Sequence, residues 1–444
     1  MKRRILIPAM LFSLTLAAQT NYDDVAVIVN GNNAESVEIG QYFKWKRNIP
    51  DKNVIKIKCT SDLEIDSITF DGIRDQIEDS LKSKNLLNSV NYLVTVKGIP
   101  IKIKRASCYS TVNSQFERCN AFDSELRSLA AADSILRYPY SYIFNPYFGS
   151  NENFSRHKFG VFLVTRLDGI TKLDVINLIN NSGPDIPLRK ENSIFIFDIG
   201  AKNSELSDYF FRDFSEHKTE LESLGWKAEI LSNKEEGNIY SNVAGFNAIN
   251  YRRDSISLKW NFLPGSIGNQ IDFATSDTVI QNSYKSLPFL KALSQGITGI
   301  SSYPYLNFYN YSIKMKDVFE RFTHDSPSFN LAEAYHSCIK LLSWMDIVIG
   351  DPKTSVKIVY PLGLKPDENE QSEIKVFPNP SRGHFFVNGT AFEIYGIKIS
   401  DTSGKLLFEQ NSAEINLEGL NIRGLLLLTI ETNKGPLIRK ISVE

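Results

Sequence analysis

The chain has 444 residues, 42% of them apolar, which at roughly 150 residues per domain allows about three domains with real cores. Fifty Lys and Arg residues balance 51 Asp and Glu residues, so electrostatics alone would not hold the protein on nucleic acid or on an anionic membrane. The four cysteines are too few for a disulfide-stapled scaffold, and they form no CxxC pair and no evident zinc-ligand spacing.

Residues 1–18 have the pattern of a secretory signal peptide. Three basic residues at positions 2–4 precede an apolar stretch over residues 5–18, and the chain then becomes polar. This stretch falls short of the about 20 residues that a membrane-spanning helix needs. The small Ala17 and Ala18 suit signal peptidase, so we expect cleavage near Ala18 and a mature chain without a transmembrane segment.

Export would place the cysteines where thiols can oxidise. Cys108 and Cys119 would then close a loop of about ten residues as a disulfide. Two free, partly buried thiols are the alternative, because disulfide connectivity cannot be deduced from sequence.

Residues 24–360 alternate apolar, strand-like runs with stretches of helical period. Runs at 25–29, 54–57 and 92–96 enclose helical patterns at 34–47 and 70–81. This alternation predicts an α/β domain whose mostly parallel sheet is covered by helices on both faces. Ligands of such sheets bind beyond the carboxyl ends of the strands, so residues at those positions are candidates for function.

Charged side chains follow several of the predicted strands. Lys97, Arg166, Asp168 and Asp198 each stand at or just after the end of an apolar run. Together they would form a polar or metal-assisted catalytic site at one edge of the sheet. The alternative is that they are turn and cap residues, with Asp168 capping the helix that begins near Thr171.

Three further carboxylates, Asp123, Glu125 and Asp351, lie in polar turns, where oxygen ligands would suit a hard cation. Solvated turns are the alternative explanation, and the one that the sequence favours. Nucleophilic catalysis by a Cys–His pair finds no support. His336 and Cys338 are two residues apart in a helical stretch, so their side chains point about 200° apart around the axis.

Residues 303–311 are rich in aromatic side chains and asparagine, and they follow a predicted strand at 297–301. Tyr305, Asn307 and Tyr309 would stack on and hydrogen-bond a sugar or a peptide. An aromatic loop that packs over the edge of the sheet is the alternative.

Blocks spread over the α/β region are similar to an uncharacterised family of secreted bacterial proteins. They lie at residues 36–50, 92–100, 123–126, 145–148, 163–169, 264–268, 331–334 and 350–352. The Glu333-Ala334 helix and the closing Gly350-Asp351-Pro352 in turn resemble gingipain-type cysteine peptidases, which implies a caspase-like α/β fold. Those peptidases use a Gly-His motif and a later Cys at strand ends. Residues 230–301 contain neither His nor Cys, so the resemblance implies the fold without cysteine proteolysis.

Pro, Gly and acidic residues dominate residues 361–372, which predicts a linker. Residues 373–444 follow with seven short β-rich runs, separated by turn signals such as Asn379-Pro380 and Ser403-Gly404. Runs of this length and spacing predict a small all-β sandwich.

Three features of residues 373–444 occur in a fixed order: a Pro378-Asn379-Pro380 opener, an Asp-x-x-Gly-Lys turn at residues 401–405, and two terminal runs. They resemble the type A C-terminal sorting domain of the type IX secretion system of Bacteroidota. Leu425-Leu426-Leu427 stands where that family usually has Gly-x-Tyr, and both choices suit a strand. The resemblance implies handling by the type IX machinery, then release or attachment to the cell surface through a lipopolysaccharide. An accessory sandwich that binds carbohydrate or protein is the alternative.

The sequence therefore predicts an exported protein with an α/β domain and a sorting domain, and it indicates no particular cofactor or substrate. Three functions suit the α/β domain. It would bind a ligand, or have unknown chemistry, as a peptidase relative without the dyad. It would otherwise be a carboxylate- or metal-dependent hydrolase, or a surface adhesin for glycan or peptide.

Overall fold

The computed structural model describes residues 20–104, 120–129, 144–199, 205–231, 239–250, 260–272, 289–304, 313–359, 374–389, 394–432 and 435–444. The chain divides into two compact units, Met1–Val359 and Tyr360–Glu444. The expected signal peptide, the Cys108–Cys119 pair, the aromatic set Tyr305, Asn307 and Tyr309, and the 361–372 linker lie outside the described residues.

The first unit alternates strands and helices along the described chain. Its strands are β1 (Val25–Asn30), β2 (Val54–Ile57), β3 (Glu64–Asp66), β4 (Tyr92–Val96), β5 (Lys102–Lys104), β6 (Asn120–Ala121), β7 (Leu163–Leu167), β8 (Ile186–Leu188), β9 (Ile194–Asp198), β10 (Lys227–Leu231), β11 (Tyr240–Asn250), β12 (Trp260–Asp272), β13 (Gly299–Ser302), β14 (Ile347–Ile349) and β15 (Val356–Ile358). Its helices are α1 (Ala34–Arg47), α2 (Ser67–Ser83), α3 (Phe122–Leu126), α4 (Arg156–Phe159), α5 (Lys172–Asn181), α6 (Glu205–Ser223), α7 (Phe289–Ser294), α8 (Met315–Phe322) and α9 (Leu331–His336).

Ten strands form one sheet in the order β10-β9-β11-β12-β13-β14-β7-β4-β1-β2. The pairings that join more than one pair of residues are parallel, except for the antiparallel pairing of β13 with β14. A single residue pair, Ile349 with Arg166, joins β14 to β7. The described sheet is thus mostly parallel, as the alternation of elements predicts.

Helices pack on both faces of this sheet. Successive side chains of a buried strand point to opposite sides, so both faces of the sheet must be covered. On one face α1 lies so close to β1 that a Cβ on Gly40 would come within 2.3 Å of Val29 Cγ1. On the other face Ala26 and Ile28 share a core with Phe70 of α2. The first helix begins at the Asn33 cap, whose side chain accepts from the Ser36 N–H.

The second unit is all β. Its strands are β16 (Ile374–Phe377), β17 (His384–Gly389), β18 (Ile394–Ser400), β19 (Leu406–Gln410), β20 (Glu414–Asn416), β21 (Gly424–Thr432) and β22 (Gly435–Val443). They form a three-stranded sheet, β16-β17-β20, and a four-stranded sheet, β19-β18-β21-β22, with antiparallel pairings. Apolar side chains from both sheets share one core, as expected of a small sandwich.

Two of the motifs in this unit have clear structural roles. The Asp401 carboxylate accepts hydrogen bonds from the N–H groups of Ser403 and Lys405, at 2.9 and 3.0 Å, and so closes the turn before β19. Asn379, between the two prolines, accepts from the Ser442 N–H at 3.0 Å and donates to the Lys440 carbonyl at 3.0 Å. The Pro-Asn-Pro segment is therefore fastened to the last strand of the chain.

In the part of the chain that the structure describes, no helix combines the length and the apolar character needed to cross a bilayer.

Candidate functional site

Arg166, in β7, is the centre of a buried charge cluster. Its side chain is fully buried, and Nε and Nη2 donate to the two carboxylate oxygens of Asp123, at 2.7 and 2.8 Å. Nη1 and Nη2 also donate to the carbonyls of Ile99 and Pro100, at 3.0 and 2.8 Å. A bidentate pair of this kind, with the remaining donors bound to carbonyls, is the geometry that makes a buried arginine tolerable.

Asp168 and Lys97 join this cluster at the ends of β7 and β4. Asp168 Oδ2 lies 3.5 Å from Arg166 Nη1, and Asp168 Oδ1 lies 3.9 Å from Lys97 Nζ. Lys97 Nζ donates to the Gly169 carbonyl at 2.8 Å. Burial raises the pKa of Asp168, while the nearby Arg166 and Lys97 act in the opposite direction. Three of the four strand-end residues predicted to form a site are therefore together.

The alternative that Asp168 caps the following helix is wrong. Thr171 is the cap of α5: its side chain accepts from the Asp174 N–H, and the Asp174 side chain accepts from the Thr171 N–H. This capping box satisfies the helix terminus. Asp168 accepts instead from the N–H of Gly169, at 2.9 Å.

Asp198 does not belong to the charge cluster, so the predicted grouping of all four residues is wrong. It ends β9, which lies five positions from β7 in the sheet order. At about 4.8 Å per strand, this separation is on the order of 24 Å. The reason is topological: β11, β12, β13 and β14 lie between the two strands, although all of them come later in the sequence.

The three carboxylates proposed as metal ligands lie in three different environments. Asp123 binds Arg166, Glu125 accepts from Asn120 and Ser343, and Asp351 pairs with Arg47 at 2.6 Å. Within the described ranges, no group of three or more His, Cys, Asp or Glu side chains is placed to hold a metal ion.

His336 and Cys338 do not form a dyad, in agreement with their predicted directions on the helix. His336 Nδ1 lies 2.8 Å from the Ala332 carbonyl, and Nε2 accepts from the Val164 N–H at 3.3 Å. Burial, with the nearby Arg127, holds the pKa of His336 well below its usual range. Burial raises the pKa of the Cys338 thiol to about 12, so this sulfur is a poor nucleophile at neutral pH.

A second row of side chains crosses the sheet far from the charge cluster. Asp198, Ala248, Gln270 and Ser302 are successive register partners on β9, β11, β12 and β13, and they share one face because register partners point the same way. We call these four residues the β9–β13 row. Cα atoms of Asp198 and Gln270 are about 10 Å apart at two strand spacings, and only the small Ala248 stands between them.

Gln270 is the unusual member of the row. It is fully buried, and neither Nε2 nor Oε1 of its amide has a hydrogen-bond partner. Ser302 Oγ donates to the main-chain carbonyl of Gln270, at 3.1 Å, and not to its side chain. Leaving such a group unpaired costs about 1–3 kcal/mol.

The neighbouring residues on the opposite face provide a contrast. Asn269 donates to Asn247 Oδ1 at 2.9 Å, and Ser301 donates to Asn269 Oδ1 at 2.8 Å. That ladder joins β11, β12 and β13 and needs no ligand to satisfy these bonds. Sequence reasoning missed the β9–β13 row, although an Asn269-Gln270 pair between the apolar Ile267 and Ile271 of one strand was a usable signal.

We expect Arg166→Met to lower the free energy of unfolding by about 3–5 kcal/mol, because it leaves Asp123 buried without its counter-ion. Arg74→Met is the matched control, since Arg74 forms partly exposed pairs with Asp71 and Asp75 and should change stability by less than about 1 kcal/mol. Urea unfolding at pH 7 measures both. Equal effects of the two substitutions would contradict the structural role of the cluster.

The lowered pKa of His336 predicts that the free energy of unfolding decreases in mild acid. Because its folded pKa lies below the unfolded value of about 6.5, its contribution is present above that pH and is lost as the pH falls. Between pH 7 and pH 5 we expect the free energy of unfolding of His336→Gln to fall less than that of the wild type, by up to about 2 kcal/mol. Urea unfolding at the two pH values is the measurement, with the exposed His157→Gln as control. Parallel losses in His336→Gln and the wild type would refute the assignment.

Comparisons with known proteins bear on the two units differently. No curated protein matches the chain. A solved structure described as "Structure of Protease" is similar over 94% of this chain and 97% of its own, with 10% identity and a TM-score of 0.36. At that TM-score the similarity does not establish a common fold, so the caspase- and gingipain-like architecture stays a prediction.

Residues 375–444 match the family described as "Secretion system C-terminal sorting domain". The match confirms the sorting domain that the sequence motifs predict. It supports export through the type IX secretion system of Bacteroidota, and it indicates delivery to the cell surface or to the outside of the cell.

Proposed function

We propose that the protein is a passenger of the type IX secretion system whose α/β domain binds a ligand at the β9–β13 row without hydrolysing it. The observation that carries the proposal is the amide of Gln270, fully buried and without a hydrogen-bond partner. An unpaired buried amide lowers the stability of a protein. A ligand that supplies the missing hydrogen bonds removes this penalty.

The charge cluster favours binding over carboxylate-dependent hydrolysis. General acid–base catalysis needs a carboxyl group within reach of the substrate. Both oxygens of Asp123 bind Arg166, and Asp168 is fully buried beside the same guanidinium. These two carboxylates support β4, β7 and α3. The adhesin hypothesis depends on Tyr305, Asn307 and Tyr309, outside the described residues, and stays a prediction.

The chemistry of the row indicates the class of ligand. The Gln270 amide offers one acceptor oxygen and two donor hydrogens. Asp198 adds a carboxylate on the same face, with its Cα atom about 10 Å from that of Gln270. A peptide suits this arrangement, because its backbone both donates and accepts. A basic side chain on the peptide would pair with the carboxylate through charge-assisted hydrogen bonds.

We expect Gln270→Leu to weaken peptide binding at least tenfold and to raise the free energy of unfolding by about 1–3 kcal/mol, because it removes both the binding amide and its burial cost. The probes are immobilised tripeptides with Arg, Lys, Glu or Asp at the centre, tested on the mature chain. Asp198→Asn should reduce the preference for Arg and Lys.

The matched control is Gln76→Leu, since Gln76 is a half-buried residue of α2 whose amide bonds to the main chain of Lys58. It should leave peptide binding unchanged. A Gln270→Leu protein that is less stable than the wild type and binds the same peptides equally well would refute the proposed site.

A separate prediction concerns export, which should depend on the C-terminal sorting domain. In a Bacteroidota host, a chain that ends at Val359 should stay in the periplasm, while the full chain reaches the surface or the medium, because the family match lies in residues 375–444. Cell fractionation and immunoblotting measure the distribution, with Asp401→Asn as a variant that keeps the sorting domain but weakens its turn. Equal export of the truncated and full chains would contradict the assignment.

A further inference from the structure

Trp45, in α1, differs from the other three tryptophans of the chain. It is 70% exposed, whereas Trp226, Trp260 and Trp344 are buried. Tryptophan is highly buried on average, because its large ring gains much free energy on leaving water. The ring of Trp45 contributes little of this burial to the fold, so it is available to a binding partner.

A second aromatic ring lies beside Trp45. Tyr42 comes one turn earlier on the same face of α1, and the centroids of the two rings are 5.7 Å apart at an interplanar angle of 44°. The Tyr42 hydroxyl donates to Asn180 Oδ1 of α5 at 2.7 Å. The contact between the rings and this hydrogen bond arrange the pair in advance, which lowers the entropic cost of binding a ligand.

The two rings belong to a wider surface that α1 and α5 form together. The Lys172–Glu38 pair, at 2.6 Å, joins the same two helices. Exposed and half-buried residues recur on each helix at intervals of three and four residues, which places them on one face. We call six of these residues the α1–α5 surface: Gln41, Tyr42, Trp45, Leu173, Asn177 and Asn180.

The chemistry of the α1–α5 surface suits an uncharged glycan. None of its six side chains carries a charge at neutral pH. It combines two aromatic rings with three amides, and each amide has one acceptor oxygen and two donor hydrogens. The C–H groups on one face of a sugar ring pack against an aromatic ring, while the sugar hydroxyls need donors and acceptors beside it.

The size and charge of the surface make other partners unsuitable. The exposed parts of the two rings and Leu173 offer on the order of 300 Å², whereas each partner in a stable protein–protein interface buries about 800 Å². Nucleic acid and anionic lipid bind through cations, and the six residues of the surface provide none. Stacking of a few sugar units needs neither the larger area nor the cations.

We propose that the α1–α5 surface binds a neutral glycan, with Trp45 as the main stacking residue and Tyr42 beside it. Export, which the sorting domain supports, brings this surface to the glycans outside the cell. The surface is separate from the aromatic residues of segment 303–311. It is also independent of the ligand proposed for the β9–β13 row, so either site can fail its test without the other.

The test is native electrophoresis of the mature chain through gels that each contain one neutral polysaccharide: xylan, laminarin, galactomannan or dextran. We expect at least one of them to retard the wild type. In titration calorimetry with that polysaccharide, Trp45→Ala should bind at least tenfold more weakly. Trp45→Phe should lose less affinity, because it keeps a smaller ring. Tyr395→Ala is the matched control, since Tyr395 is an exposed aromatic residue of the second unit, and it should bind as the wild type does.

Unchanged migration of the wild type in all four polysaccharides would overturn the proposal, as would equal affinities of the wild type and Trp45→Ala. Phosphatidylglycerol vesicles and light scattering test the other partners. Vesicle binding or self-association that depends on Trp45, in place of polysaccharide binding, would also overturn it. Gln270→Leu should bind the polysaccharide as the wild type does, and a loss of binding in this variant would contradict the separation of the two sites.

Discussion

The ion pair between Arg166 and Asp123 is the interaction on which the arrangement of the α/β domain depends. A fully buried guanidinium is tolerable only when its donors are bound, and here four of the bonds run to Asp123, Ile99 and Pro100. The pair joins β7 to α3 and to the turn after β4. The charged side chains of Arg166 and Asp123 lie where a parallel sheet often carries catalytic residues, but here they stabilise the fold.

Two regions of the sheet differ in how their polar side chains are paired. The β4–β7 region has cations and carboxylates that bind one another. The β9–β13 row has a buried amide without a partner, beside a ladder of Asn247, Asn269 and Ser301 that is internally bonded. A buried amide that has a partner at neither its oxygen nor its nitrogen is expected where a protein gives up stability for function.

Apolar periodicity predicted the elements well. The strands at 25–30, 54–57 and 92–96 and the helix at 34–47 follow from local pattern, as do the β-rich runs of residues 374–443. The partners of Asp198 could not be predicted, because strand order depends on long-range packing and not on the order of strands in the chain. The capping role offered as the alternative for Asp168 is wrong because Thr171 and Asp174, which are closer to the helix, form the capping box of α5. Gln270 could not be found by the same criterion, because the candidates were residues at strand ends and Gln270 lies inside β12.

A double-mutant cycle between Arg166 and Asp123 tests the central claim most directly. The free energies of unfolding of the wild type, Arg166→Met, Asp123→Leu and the double variant are measured in urea at pH 7. A shared structural role predicts a coupling energy of about 3 kcal/mol, with the double variant more stable than Arg166→Met alone. Additive effects, with a coupling energy of less than about 0.5 kcal/mol, would contradict the claim that this pair supports the sheet.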